Sequence, residues 1–123
     1  MAGVLAVPAL QPLLESARIE AAARRTAAFL DDTRRRSVLE RRILVVRCRP
    51  DERRLVVAGA ADGERAFPLP EAASQFTCSP DEMRYHPQGS ATGMTLELRD
   101  RRGRGRRLSV GAFTGLVRVE PVT

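Results

Sequence analysis

The chain has 123 residues, 43% hydrophobic and 29% charged, with a formal net charge of +6. That is enough for one modest domain with a real core, and it excludes a charge-dominated disordered chain. Aromatics make up only 4% and there is no Trp, so the core must come from Leu, Val, Ala and a few Phe.

All 21 basic residues are Arg. Guanidinium forks suit phosphate and carboxylate, but a GC-rich coding bias would also replace Lys with Arg throughout. The only cysteines, Cys48 and Cys78, are far apart, and His86 is the only histidine. A zinc site needs four ligands, usually in close pairs, and that signal is absent. The cysteines are either one disulfide or two buried thiols.

"MAGVLAVPAL" (1–10) is apolar but short of the roughly 20 residues that span a bilayer, and it has no basic flank. Residues 9–41 then read as one long helix. They hold no Gly, and Pro12 sits near the front, where proline is tolerated. Ala, Leu, Glu and Arg dominate. Ile19, Ala23, Thr26, Leu30, Thr33 and Ser37 recur at spacings of four and three, which makes one seam flanked by Phe29 and Val38. The seam is mostly small, so something approaches it closely. Asp31 and Asp32 precede Arg35 and Arg36 by four.

From Arg42 the period changes. "RILVVRCR" (42–49) and "RLVVAG" (54–59) read as a strand hairpin around "PDER". "ADGE" (61–64) is a turn signal, and "RAFPLP" (65–70), with its prolines, reads as an edge strand. Residues 71–81 read as a loop holding Cys78. "EMRYH" (82–86), "MTLELR" (94–99), "RLSV" (107–110) and "LVRVE" (116–120) are further strands, with glycine turns between them. The class is α+β: a long N-terminal helix (1–41) and an antiparallel β head (42–123) in one globular unit.

Catalysis finds little support. His86 precedes Pro87 at a strand end. Asp81 and Glu82 are near it in sequence without a nucleophile pattern, and Cys78 lies in the expected loop. No cofactor or metal is implied.

Four stretches in order carry a resemblance to a known family. "LAVPAL" (5–10) looks like the end of a pilin membrane helix. "ARIEAAARRTAAFLDDTRRRSVLERR" (17–42) is similar to the helix that follows it. "MRYHPQGSATG" (83–93) looks like the strand–turn block, an aromatic followed by Pro-x-Gly and a small-residue turn. "FTGLVRV" (113–119) resembles the closing Thr-Gly strand. Together they resemble the GspH/FimT family of type IV pilin-like minor pseudopilins and minor pilins.

The resemblance implies a long helix packed on antiparallel sheets and a structural role without catalysis. A GspH-like member would be a minor pseudopilin at or near the tip of a type II secretion pseudopilus, acting in protein export. Its partners would be other minor and major pseudopilins or pilins, and an exported protein. A FimT-like member would be a minor type IV pilin that binds DNA without sequence preference for natural transformation. The implied location is the inner membrane of a Gram-negative cell with a periplasmic domain. The anchor would be an N-terminal segment of which residues 1–10 are the remnant, so the chain as given is expected to be soluble. A periplasmic fate implies that Cys48 and Cys78 pair.

For DNA or an acidic partner the candidates are Arg101, Arg102, Arg104, Arg106 and Arg107 in "LRDRRGRGRRLSV" (98–110), together with Arg118. The DNA-linked pattern of the family is Gly-Arg-x-Arg in the last strand. Here Leu116 follows Gly115 and takes the place of the first Arg. The turn at 87–93 reads as structural, since no GK[ST] or helix start follows it.

Overall fold

The structure, a computed structural model, describes the backbone of residues 2–122 and the side chains of residues 12–122. Among the described residues no helix is long and apolar enough to cross a membrane.

Good helix formers, with no Gly after Gly3, give the one α-helix among the described residues, α1 (Ala2–Glu40). It starts seven residues before the point the sequence suggests, so Pro8 and Pro12 lie within it and leave two of its backbone hydrogen bonds without a donor. The seam is buried along its whole length: Ile19, Ala23, Thr26, Leu30 and Ser37 are fully buried and Thr33 nearly so. Its hydroxyls are satisfied locally. Thr26 Oγ1 donates to the Ala22 carbonyl and Thr33 Oγ1 to that of Phe29. Ser37 Oγ lies 2.7 Å from the Arg42 carbonyl oxygen, which holds the helix end against the start of the next strand.

Eight strands follow in two antiparallel sheets. The first sheet has the order β3 (Arg65–Pro68), β2 (Arg54–Ala58), β1 (Leu44–Arg49), β5 (Glu82–Tyr85). The second has β4 (Gln75–Ser79), β6 (Met94–Arg99), β7 (Gly105–Val110), β8 (Val117–Val122). Alternation puts Leu44, Val46 and Cys48 of β1, and Met94, Leu96 and Leu98 of β6, into one core shared with the helix seam. The lower stretch of α1 lies against the second sheet, while Phe29 stacks on Phe67 of the first, with ring centroids 4.6 Å apart.

Two strands depart from the sequence reading. The 71–81 loop contains β4, whose Phe76 and Cys78 pair with Leu98 and Leu96 of β6. Its alternation rests on one Phe among polar residues, so only the long-range partner makes it a strand. β7 begins two residues early, at Gly105. β3 is the edge strand its prolines suggest.

Three contacts hold the layers together. Cys48 on β1 and Cys78 on β4 are joined by a disulfide that links the two sheets, Cα to Cα 6.4 Å. The Arg53 guanidinium donates to the carbonyls of Ser74, Pro70 and Ala73, which ties the β1–β2 turn to the loop before β4. Arg36 bonds Glu40 and Asp62, and Glu40 accepts from the Ala61 amide, so the helix end is fixed to the β2–β3 turn. Arg36 thus pairs here and not with Asp32, which faces Arg65 instead. The Ala61 amide first, and Arg36 next, lower the Glu40 carboxyl below its ordinary value.

The 87–93 turn is the fourth tie. Arg34 Nε donates to the Gly89 carbonyl at 2.9 Å. Gly115, in the β7–β8 turn, sits against the same carbonyl at φ +69, and a Cβ there would collide with the Gly89 oxygen and crowd Arg34. Two glycine turns and one helix side chain therefore meet at a point where only glycine fits.

The Gly115→Ala variant is expected to lose at least about 1 kcal/mol from the left-handed backbone alone, before the collision adds to it. Urea unfolding measures this. An unchanged midpoint would show that the junction carries no strain.

Candidate functional site: the arginine hairpin and the stalk

The β6–β7 hairpin concentrates the candidate arginines, and its turn is built to present them. Asp100 Oδ1 accepts from the amides of Arg102 and Arg104, and the Asp100 amide donates to the Arg104 carbonyl. The turn is thus ordered before any arginine side chain finds a partner.

The arginines then diverge because strand neighbours face opposite sides. Arg106 turns inward and is only 14% exposed. Its Nε donates to Glu20 Oε1 at 3.1 Å, and its Nη2 lies 3.4 Å from Ser16 Oγ. Arg104 Nη1 donates to the Pro12 carbonyl at 2.7 Å and lies 3.5 Å from Glu15. Arg102 pairs with Glu15 at 3.1 Å. Pro12, Ser16 and Glu20 are one i, i+4 row of the helix, so the hairpin grips the stalk over two turns.

Arg107 turns outward and pairs with Glu97 across the strands at 3.0 Å. Arg118, 80% exposed, is on the same outer face two strands from β6, near Glu120. Arg101 stands at the exposed turn. An open cleft of about 610 Å³ lies beside it, lined by Glu15, Arg18, Glu71, Ala72, Asp100, Arg101 and Arg102.

The six candidate arginines therefore do not form one surface. Arg102, Arg104 and Arg106 are held by the stalk, Arg107 and Arg118 face away from it, and Arg101 has no acidic partner among the described residues. The sequence reading missed their helix partners, Pro12, Glu15, Ser16 and Glu20. The available signal was an acid-bearing helix row of the same length as a basic hairpin.

Glu20 bridges two arginines, Arg106 and Arg24. The hydrogen bond from Arg106 is the largest influence and holds the carboxyl below its ordinary value. A lowered carboxyl contributes stability above its unfolded value and loses it as the pH falls through the folded one.

The geometry on which comparison turns is a long helix whose small-residue seam is buried under two four-stranded antiparallel sheets. No family model matches the chain. No curated protein matches it either. Solved structures do. The minor pseudopilin EpsH of the Type 2 Secretion System of Vibrio cholerae superposes with a TM-score of 0.68 at 19% identity, covering 85% of this chain and 97% of that one. The type IV minor pilin FimU of Pseudomonas aeruginosa superposes with a TM-score of 0.69 at 21% identity, covering 89% and 93%. A second crystal form of FimU gives 0.62 at 20% identity. The chain has the fold of a minor pilin.

In this pilin-like fold the hairpin clamp sets how the lower stalk meets the head. Stability is expected to fall as the pH drops below about 4.5, the ordinary range of Glu. The Glu20→Gln variant should be less stable than the parent at pH 7 and show a shallower acid limb. Thermal unfolding from pH 7 to pH 3 measures both. Identical profiles would mean that the Arg106–Glu20 pair does not hold the stalk.

Proposed function

We propose that this chain is a minor pseudopilin of the GspH type, a structural subunit at or near the tip of a type II secretion pseudopilus that acts in protein export. Its work is contact: the stalk joins neighbouring helices, and the head meets other minor pseudopilins or the exported protein. The observation that carries this is the close packing of the helix, the stalk, on the β head. The helix is buried against both sheets and clamped by the hairpin, while Leu13 and Leu14 stay 66% and 55% exposed on the stalk. A helix fixed on one face with leucines on another fits a subunit that packs beside other helices. The likeness to EpsH supports this reading.

The equal likeness to FimU supports a second one, a minor type IV pilin. In its DNA-binding form it would draw on Arg101, Arg107 and Arg118, since the other three candidates are engaged with the stalk. Binding of that kind would be electrostatic and weaken steeply with salt.

Deleting the gene in the source bacterium separates the two. Under the first reading, export of type II substrates stops while natural transformation continues, and the intact gene restores export. Loss of transformation with export intact would transfer the protein to the second reading.

A further inference from the structure

The outer faces of the two sheets meet the same solvent but differ in composition. On the second sheet one row runs Ser79, Thr95, Ser109, Arg118 and the next Thr77, Glu97, Arg107, Glu120. Each of its arginines has an acidic neighbour: Glu97 accepts from Arg107 and lies 3.7 Å from Arg99, and Glu120 lies near Arg118. Such a face is complete in water.

The first sheet has another pattern. One outward row is Arg49, Arg54, Pro68; the next is Glu82, Arg47, Val56, Ala66; the third is Arg84, Val45, Ala58. Arg49 and Arg54 are directly opposed, an arrangement that destabilises a sheet when like charges face each other. Arg54 reaches Glu52 at 2.7 Å, yet its buried Nε has no hydrogen-bond partner. Arg49 and Arg84 have no acidic partner among the described residues, and Arg47 has only Glu82 at 3.6 Å. Beside these arginines, at the start of β1, lies an apolar strip. Ile43 is 48% exposed, while Val45 and Ala58 are half-buried. Val56 points outward yet is only 3% exposed, with Arg47 and Arg54 as its neighbours on that face. Arginine stems cover apolar surface in this way. Aliphatic side chains next to a group of arginines are the composition of a contact surface.

We propose that the outer face of the β3-β2-β1-β5 sheet docks an acidic protein surface, with Ile43, Val45 and Ala58 as its apolar end, Arg84 beside them, and Arg47, Arg49 and Arg54 along the rest. The inference rests on the reading of the head as a contact-making subunit. Charge complementarity selects the partner. A second copy of this chain, also at +6, would be repelled. A nucleic acid strand offers phosphates but no aliphatic groups for the strip, and the outward rows hold no aromatic ring for base stacking. A protein surface supplies both carboxylates for the unpaired arginines and apolar groups for the strip.

Titration of the isotope-labelled protein with a Glu–Leu repeat peptide tests this by amide chemical shifts, independently of any filament or secretion assay. Shifts are expected on β1, β2 and β5, and to shrink with salt. The Arg49→Glu, Arg84→Glu double variant should bind about tenfold more weakly, while Arg118→Glu on the other sheet binds as the parent does. A thermal melt confirms that the double variant is folded. Shifts confined to other surfaces, an unaffected double variant, or tighter binding of a double-stranded DNA oligomer to the same face would each overturn the proposal.

Discussion

The close approach of one helix to two sheets governs this structure. Ala22, Ala23, Thr26, Thr33 and Ser37 let the helix backbone come near the strands, and Ile19 and Leu30 fill the space that remains. Larger residues along that seam would hold the helix off and leave the two sheets without a common core. The hydroxyls keep the seam narrow without leaving donors unpaired, because they return to carbonyls of their own helix or, at Ser37, to the first residues beyond it. Everything else in the fold tightens that contact: the hairpin clamp below, the Arg34–Gly89–Gly115 junction above, and the disulfide across the sheets.

Arginine plays two roles here, and burial separates them. Arg34, Arg53 and Arg106 reach across the fold to backbone carbonyls or a carboxylate, using the planar fork that a lysine lacks. These are structural cross-links between elements distant in sequence. Arg49, Arg84 and Arg101 do no such work. A net charge of +6 is thus an uneven sum, with the internal arginines neutralised or bonded and the surplus left on particular faces.

Much of the fold was legible in the sequence. The helix seam could be read from its four-and-three spacing because a buried helix face imposes that period wherever the partner is. β6 was legible from the same kind of spacing at period two, and β1 and β2 as β-branched runs on either side of a turn. β4 was not, because its only strong apolar residue is Phe76 and its strand character comes from β6. The arginine cluster misled for a related reason. Six arginines close together along the chain look like one patch, but strand alternation sends Arg106 inward and Arg107 outward, and only the helix opposite decides what Arg104 touches. Proximity in sequence reports a surface only on one face of one element. The glycines at 89 and 115 were readable as turn formers, but their meeting at Arg34 spans three separate segments.

A helix packed on both sheets transmits position: whatever fixes the sheets fixes the helix, and whatever holds the helix orients the sheets. That mechanical unity is the property the proposed role requires. Native-state hydrogen exchange tests it most directly. The amides of residues 19–37 should exchange only through global unfolding, with the same opening free energy as the central strands β1 and β7. Exchange of the helix through a separate, lower-energy opening, with the strands still protected, would show that stalk and head are two units and would contradict the account.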